Sequence, residues 1–512
     1  MKLRPHQAEM QTVCTEILSG KPVKKIIAAV TPGGGKSALP VIAASLLIPA
    51  IADRLVWIVP RNSLKWQGEA EFVDPRWDTQ NRLRACHGND ADPDRGNEGY
   101  LTTYQAIGVS SKSHQDYVRK HRTILFLDEP HHVADDAAWG NALAPMIESA
   151  VLVVYASGTF SRADGRAIHG LDYSDNGFVD FLNTETTRII RYGRNQAIED
   201  KATMKVELKI FDGSASWISK EGIQREVSSL KTSGEDRADA VYTALRTDFA
   251  YALLSASIEH WEQIRKDYPS SKLLVVAPDI ETAKLYHSRL APICLAEIAT
   301  SEDSIRAHKI IDAFRSGSVP ALVTVGMAYE GLSVPEITHI ACLTQIRSVP
   351  WLEQMQARAN RRSPGKPGAW VFAPADRALI RAWKMIEEEA LIPLEQKEEA
   401  DKEEVTEGPK EGGEGWQAPQ IKPLWSSAHG IESDLPEVKA VAPSVAEGVL
   451  RDNIRAIRRR VVDQARPGSQ KALASMFSHY VRQVADKDLD DMTATELESV
   501  WISLREKFKG RL

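Results

Sequence analysis

The sequence predicts an α/β protein with two parallel-sheet domains, and three observations support this fold class. Short β-branched apolar runs alternate with helical patterns over the first part of the chain, which is typical of buried parallel strands. The same alternation begins again after a less regular stretch, and the composition changes sharply after residue 386. At 512 residues, the chain is long enough for about two to four domains with cores of their own.

The two units and the stretch between them can be placed along the chain. The first unit, residues 1 to 160, contains the apolar runs KKIIAAV (24 to 30), LVWIVP (55 to 60), TILFLDE (123 to 129) and VLVVYAS (151 to 157). The second unit, residues 246 to 386, contains KLLVVAP (272 to 278), PALVTVGM (320 to 327), ITHIACL (337 to 343) and GAWVFAP (368 to 374). Residues 161 to 245 carry turn signals and one strand candidate, MKVELKIF (204 to 211), so we interpret them as a connector or insertion.

The net charge of −6 is unevenly distributed. Residues 387 to 414 hold twelve acidic residues and three lysines, so we predict an acidic flexible linker over residues 387 to 430. Residues 431 to 512 have helical spacing and are predicted to form a small, locally basic domain, with 13 basic and 9 acidic residues after position 450. The acidity therefore belongs to the linker and does not argue against a nucleic-acid partner.

Several classes of protein are disfavoured by the sequence. The longest apolar stretches are shorter or more periodic than the roughly 20 apolar residues that a membrane-spanning helix requires. The first ten residues, MKLRPHQAEM, place charges where a signal peptide has its apolar core, so we expect a cytoplasmic protein without a membrane partner. The four cysteines form no CxxC pair, which argues against a disulfide framework and a zinc site.

The segment TPGGGKS (31 to 37) lies between a predicted strand and a predicted helix, which is the context of a phosphate-binding loop. Glycines let successive amides face an anion at the helix N-terminus, a role that falls here to Gly33, Gly34 and Gly35. Lys36 would reach the β and γ phosphates of ATP, and the hydroxyl of Ser37 would hold Mg²⁺. A strict pattern would have glycine in place of Val30, and a chance GKS in a glycine-rich turn is the alternative.

The segment LFLDEPHH (125 to 132) places two carboxylates at the end of another predicted strand. Because ligands bind at the carboxyl ends of parallel strands, Asp128 and Glu129 should converge on the loop that holds Lys36. Asp128 suits the Mg²⁺ shell, and Glu129 is the candidate that polarises the attacking water. His131 is expected to relay hydrogen bonds. An ordinary loop start is the alternative for an Asp-Glu pair of this kind.

These segments and six others resemble the motifs of superfamily 2 helicases and translocases, in the branch of the restriction-enzyme motor subunits and related DNA-repair helicases. The resemblance covers roughly residues 3 to 375, and the further segments are LRPHQ (3 to 7), VPRNSLKWQ (59 to 67), LTTYQAI (101 to 107), SGTFSR (157 to 162), TVGMAYEGLSVP (324 to 335) and QMQARANRR (354 to 362). It implies two RecA-like domains with ATP in the cleft between them.

The resemblance also implies roles for single residues. Gln7 would read adenine, and Gln354, Arg358 and Arg361 would reach the nucleotide from the second domain. A guanidinium from another domain would make phosphoryl transfer depend on closure of the cleft. The remaining implied residues would couple nucleotide state to domain movement or contact nucleic acid: Ser157, Thr159 and His131 in the first role, and Arg61, Thr103 and Thr324 in the second.

The sequence departs from the family pattern at four positions. Ala357 replaces a usual glycine and Phe160 a usual proline. Ser333 replaces a usual aspartate and Gly326 a frequent polar residue, which puts one nucleotide-sugar contact and one nucleic-acid contact in doubt. The residues proposed for catalysis are all present.

The leading hypothesis is an ATP-dependent DNA helicase or translocase that uses Mg²⁺. DNA is favoured over RNA because the branch that the chain resembles acts on DNA. An RNA helicase is one alternative. Another is an ATP-switched interaction subunit of a multiprotein DNA-processing or defence complex, whose protein partner would bind the C-terminal domain.

Overall fold

The computed structural model describes most of the chain through residue 389, one later strand and parts of the C-terminal segment. The described ranges are residues 3–77, 79–86, 92–132, 138–160, 166–173, 179–325, 332–389, 421–432 and 470–484, with isolated residues from 454 to 508. Most of the predicted acidic linker therefore lies outside the described residues, as do Gly326 and much of the predicted C-terminal domain. No helix within these ranges is long and apolar enough to cross a membrane.

The first sheet has seven strands, all paired in parallel, in the order β3-β4-β2-β5-β6-β1-β7. Its strands are β1 Lys25–Val30, β2 Arg54–Val59, β3 Arg84–Ala85, β4 Gly99–Thr103, β5 Thr123–Asp128, β6 Leu152–Ser157 and β7 Thr187–Tyr192. The central strands β5 and β6 are buried throughout, which explains their continuous apolar runs.

The second sheet is mostly parallel and follows the order β11-β12-β10-β13-β14-β8-β15, with β9 paired to β8. Its strands are β8 Glu207–Ile218, β9 Gln224–Val227, β10 Lys272–Ala277, β11 Ala296–Ala299, β12 Ala321–Val325, β13 Ile337–Cys342, β14 Trp370–Pro374 and β15 Lys422–Glu432. Only the pairings of β8 with β9 and with β15 are antiparallel among those described. The predicted α/β class with two parallel-sheet domains is confirmed.

Helices connect the parallel strands and cover the sheets. They are α1 Pro5–Leu18, α2 Ala38–Leu47, α3 Asn62–Phe72, α4 Tyr104–Val109, α5 Ser111–Lys120, α6 Ala138–Ser149, α7 Arg194–Glu199, α8 Arg237–Ala244, α9 Asp248–Asp267, α10 Ile280–Leu290, α11 Ser304–Ser316, α12 Val349–Gln356, α13 Arg377–Glu387 and α14 Gln470–Val484. Short 3₁₀ helices span Pro75–Trp77, Pro130–His132, Leu230–Thr232 and Gly234–Asp236. Each sheet thereby buries apolar side chains on both faces.

The stretch between the two predicted units supplies a strand to each sheet. Strand β7 pairs with β1 along the edge of the first sheet, and β8 pairs with β14 in the second. The strand candidate MKVELKIF lies at the start of β8, where Phe211 and Trp217 are buried. The sequence could not show these pairings, because the position of a strand in a sheet is selected by hydrogen bonds to residues far away in the chain.

Strand β15 falls in a region where the sequence predicted a linker and the start of the C-terminal domain. It runs antiparallel to β8, and the buried hydroxyl of Ser426 accepts a hydrogen bond of 3.0 Å from the backbone N–H of Phe249 at the start of α9. Helix α14 lies at the predicted helical segment 470 to 484, and its Leu473 and Phe477 are buried in a C-terminal apolar cluster.

Candidate active site

The phosphate loop curls between the end of β1 and the start of α2. Gly33 and Gly35 have φ angles of +83° and +94°, in the left-handed region that glycine adopts without steric cost. A Cβ atom on Gly34 would lie 2.8 Å from the carbonyl oxygen of Thr31. The three glycines therefore leave a cradle that any larger residue would fill, as an anion-binding loop requires.

Two side chains of the N-terminal segment hold this loop from behind. Arg4 Nη1 donates to the carbonyl oxygen of Gly34, and Gln7 Nε2 donates to that of Gly35 over 3.3 Å. The other end of the Gln7 carboxamide accepts from the backbone N–H of Arg4 at 3.0 Å. The buried Gln7 thus contacts the phosphate loop itself. Sequence reasoning missed Arg4, although it lies inside the LRPHQ segment.

Lys36 lies between the two carboxylates at the end of β5. Its Nζ atom is 2.8 Å from Asp128 Oδ1 and also contacts Glu129 Oε1. Burial acts against the charge on Lys36, but the two carboxylates outweigh it and raise the lysine pKa. Burial raises the pKa of Asp128. For Glu129, burial is outweighed chiefly by Lys36, which lowers its pKa to about 2. Glu129 is therefore ionised at neutral pH.

A chain of hydrogen bonds connects Glu129 to helix α12 of the second domain. The hydroxyl of the fully buried Ser157 donates to Glu129 Oε2 and accepts from the backbone N–H of Thr159 at 3.0 Å. His131 Nδ1 lies 3.2 Å from Ser157 Oγ, and His131 Nε2 lies 3.3 Å from Gln354 Nε2 on α12. The structure thus brings all five of these predicted residues together.

The two predicted arginines follow α12 and face the phosphate loop. Arg358 is 9% exposed and donates from Nη1 to the carbonyl oxygen of Leu332 over 3.2 Å. Arg361 Nη1 donates to the hydroxyl of Ser333, the residue that stands where the family usually has aspartate. Burial, with a contribution from Arg358, lowers the pKa of Arg361 to about 10, so the Arg361 guanidinium is still charged at neutral pH.

These groups surround one cavity of about 370 Å³ between the two sheets. The first domain contributes the phosphate loop, Asp128 and Glu129, and the second contributes the side chains of Ser333, Gln354, Arg358 and Arg361. Within the described residues, no group of three or more His, Cys, Asp and Glu is placed to hold a metal unaided. A hydroxyl, a carboxylate and nucleotide phosphates are a usual set of Mg²⁺ ligands, so Ser37 and Asp128 fit Mg²⁺-ATP.

One contact in the cleft was not foreseen from the sequence. Asn360 is buried, and its Nδ2 atom donates to the carbonyl oxygen of Pro32 in the phosphate loop over 3.0 Å. A Cβ atom on Gly33 would lie 2.8 Å from Asn360 Oδ1. Asn360 lies inside the QMQARANRR segment, but no property of an asparagine there indicates that it crosses the cleft.

The three predicted nucleic-acid residues lie apart from this cavity. Arg61 precedes α3 and is half-buried. Thr103 is buried, and its hydroxyl caps α4 by accepting from the backbone N–H of Ala106 at 3.2 Å. Thr324 is fully buried in β12. Both threonine side chains therefore have structural contacts here, and neither presents its hydroxyl at the surface.

Comparison with known proteins gives matches in sequence and in fold. Residues 1–162 match the family model described as ResIII, type III restriction enzyme, res subunit. An uncharacterized protein of Mycobacterium tuberculosis, Rv2917, is 26% identical over 384 residues, covering 72% of this chain and 61% of the relative. A second relative, the uncharacterized protein ML1624 of Mycobacterium leprae, is 23% identical over 394 residues, covering 74% and 63%. The chain thus spans about three fifths of the length of these curated relatives.

The fold is similar to that of a solved restriction enzyme. The structure described as the ATP-dependent type ISP restriction-modification enzyme LlaBIII bound to DNA superposes with a TM-score of 0.52 at 11% sequence identity. The match covers 99% of this chain and 40% of that enzyme. The predicted resemblance to restriction-enzyme motor subunits is thus borne out by the family model over residues 1–162, and the structural match shows a similar fold.

Proposed function

We propose that this chain is a nucleic-acid-dependent ATPase that acts as a DNA helicase or translocase. The observation that carries the proposal is the single cavity in which Lys36, Asp128 and Glu129 of the first domain face Arg358 and Arg361 of the second. Phosphoryl transfer is catalysed mainly by positioning and by stabilisation of charge. This cavity brings two carboxylates and three cationic groups to one place between two domains.

Mg²⁺-ATP would supply the phosphoanhydride and the metal charge that offsets the phosphates. The loop amides and Lys36 would bind the phosphates, and Ser37 and Asp128 would hold the metal. Lys36 would then move from Glu129 towards the phosphate oxygens and leave that carboxylate free. In the structure Lys36 holds Glu129 ionised, and the freed carboxylate would orient and polarise the attacking water.

The arginines would make hydrolysis depend on closure of the cleft. In the transition state the γ phosphate carries charge on its peripheral oxygens, and an arginine from another domain stabilises that charge. Arg358 and Arg361, which follow α12 in the chain, would provide this stabilisation. A change in the position or contacts of Glu129 would be transmitted to the second domain through His131 and Gln354. A continuous chain of hydrogen bonds connects these residues through Ser157.

DNA is the proposed polymer, because the family model that matches residues 1–162 is that of a restriction-enzyme subunit. The fold neighbour LlaBIII is also described as bound to DNA. Loops at the ends of the strands in both sheets would contact the sugar-phosphate backbone of the DNA. Arg61, Thr103 and Thr324 are the candidate residues in the motif segments. The two buried threonines would need a local rearrangement for that role. A protein partner at the C-terminal segment stays a second proposal.

The test is to measure steady-state ATP hydrolysis by the full chain with no polymer, single-stranded DNA, duplex DNA and RNA. We expect stimulation by DNA above RNA. Glu129→Gln keeps the size of the side chain and removes its charge, so kcat should fall by about 10²-fold or more while ATP still binds. Glu16→Gln is the matched control, because Glu16 on α1 forms ion pairs with Lys21 and with Arg188 of β7 and does not line the cavity.

Equal rates with all polymers and without them would contradict the motor and favour an ATP-switched interaction subunit. Stimulation by RNA alone would replace DNA with RNA in the proposal. Unchanged turnover in Glu129→Gln at saturating DNA would remove Glu129 from its proposed role.

A further inference from the structure

A buried lysine lies directly behind the two arginines. Lys366, between α12 and β14, is 8% exposed. Its Nζ atom donates to four backbone carbonyl oxygens, at 2.9 Å to Pro335, 2.6 Å to Ile337, 2.7 Å to Ala359 and 2.8 Å to Arg361. One ammonium group therefore joins two chain segments that are about two dozen positions apart in the sequence.

Both segments carry the arginine contacts described above. Arg358 donates to the carbonyl oxygen of Leu332, and Arg361 donates to the hydroxyl of Ser333. Both acceptors precede the carbonyls of Pro335 and Ile337 that Lys366 binds. The guanidinium groups thus connect the two segments at the cavity, and Lys366, which does not line the cavity, connects their backbones. Loss of either set of contacts would let the segments separate.

The charge state of Lys366 matters for this arrangement. An ammonium group has three N–H donors to share among the four oxygens, whereas a neutral amine has two donors and a lone pair. The lone pair would face a carbonyl oxygen and repel it. Burial lowers the pKa of Lys366 to about 7, the Glu336 carboxylate opposes that shift, and the positive charge of Arg361 adds to it.

We propose that Lys366 is the positioning residue of the arginine pair: its ammonium fixes the backbone that aims Arg358 and Arg361 at the nucleotide. The proposal rests on the proposed ATPase function. Lys366 is not a catalytic residue, because its Nζ atom contacts backbone carbonyls and does not line the cavity. Its effect should therefore appear in turnover, which depends on where the guanidinium groups lie, and not in nucleotide binding by the phosphate loop.

The chain offers a matched control in the same sheet. Lys272, at the start of β10, is 4% exposed and its Nζ atom also donates to backbone carbonyl oxygens, those of Phe314 at 2.5 Å and Arg315 at 3.1 Å. Burial lowers its pKa as well. Lys272 shares the burial and the carbonyl contacts of Lys366, but these carbonyls belong to the end of α11. Its Nζ atom also lies 3.9 Å from the Glu336 carboxylate, and none of these contacts involves Arg358 or Arg361.

The experiment compares Lys366→Met with Lys272→Met in the full chain at saturating DNA. The measurements are kcat and KM for ATP, the Kd of a fluorescent ATP analogue, and the thermal midpoint. Misplacement of catalytic groups by about 1 Å costs on the order of 10²-fold in rate, so kcat of Lys366→Met should fall by about that factor with the Kd nearly unchanged. Lys272→Met should lose thermal stability to a similar extent and keep its kcat.

Lys366→Arg and a pH series keep the test decisive if the methionine variant folds poorly. Arginine stays protonated, so Lys366→Arg should recover most of the turnover. It should also hold its kcat as the pH rises through about 7, where the wild type loses charge on Lys366 and turns over more slowly.

Two outcomes would overturn the role of Lys366. One is a kcat of Lys366→Met within about twofold of the wild type. The other is an equal loss of kcat in Lys366→Met and Lys272→Met, which would indicate a merely structural lysine. If Lys366→Met does not fold, identical pH profiles of the wild type and Lys366→Arg would overturn it instead. A wild type without DNA-stimulated hydrolysis would contradict the proposed function itself, which is a distinguishable result.

Discussion

The hydrogen bond between His131 and Gln354 is the contact that we expect to couple the two domains. The two Nε2 atoms are 3.3 Å apart. Because the amide nitrogen of Gln354 can only donate, the imidazole Nε2 must accept, and the ring proton then lies on Nδ1. That proton points towards Ser157 Oγ, 3.2 Å away, so the histidine tautomer is set by both neighbours.

The expected coupling energy between His131 and Gln354 follows from the kind of hydrogen bond that is lost. A hydrogen bond between neutral groups contributes about 0.5–1.5 kcal/mol net, and a separation of 3.3 Å places this one in the lower half of that range. The expected coupling energy of about 0.5–1 kcal/mol corresponds to roughly two- to fivefold in rate. Each alanine variant alone should cost more than this, because His131 also loses its contact with Ser157.

The assay is a double-mutant cycle on kcat/KM for ATP at saturating DNA, with His131→Ala, Gln354→Ala and the double variant. The control cycle replaces Gln354→Ala with Gln356→Ala, a buried glutamine of the same helix that lies two positions further on and therefore on another face of it. We expect coupling in the first cycle and additivity in the second. Additivity within about 0.3 kcal/mol in the first cycle would refute the relay through His131.

Two further predictions concern the cleft. Asn360→Ala removes the bond to the carbonyl oxygen of Pro32, and a loss of about 1 kcal/mol should raise KM for ATP about fivefold; an unchanged KM would exclude this contact from nucleotide binding. Burial, with the carboxylates of Glu129 and Glu389, raises the pKa of Glu353 from 4.5 to about 8. Glu353 therefore binds a proton on folding between these pH values, and stability should fall as pH rises through that window. Thermal midpoints at pH 5 and pH 8 should differ less in Glu353→Gln than in the wild type, and equal differences would contradict the shift.

Much of the fold and the composition of the candidate site could be predicted from the sequence, because both depend on local patterns. Continuous apolar runs identify strands that are buried on both faces, as in Thr123–Asp128 and Leu152–Ser157. Glycines followed by a lysine at a strand-to-helix junction indicate a phosphate loop. The sequence also placed Asp128 and Glu129 beside Lys36, since parallel strands bring their carboxyl ends to one edge. The sequence could not predict the distances between these side chains.

The sequence by itself determined the two-sheet class, the phosphate loop and the motif residues that line the cavity. Only the tertiary structure decided the pairing of β7, β8 and β15, the engagement of Gln7 with the phosphate loop and the burial of Thr103. It also revealed the hydrogen bond of Asn360 across the cleft and the hydrogen bonds of Lys366 to backbone carbonyls. The physical reason is that composition and periodicity are local properties, whereas a hydrogen bond between residues far apart in the chain exists only once the sheets have packed.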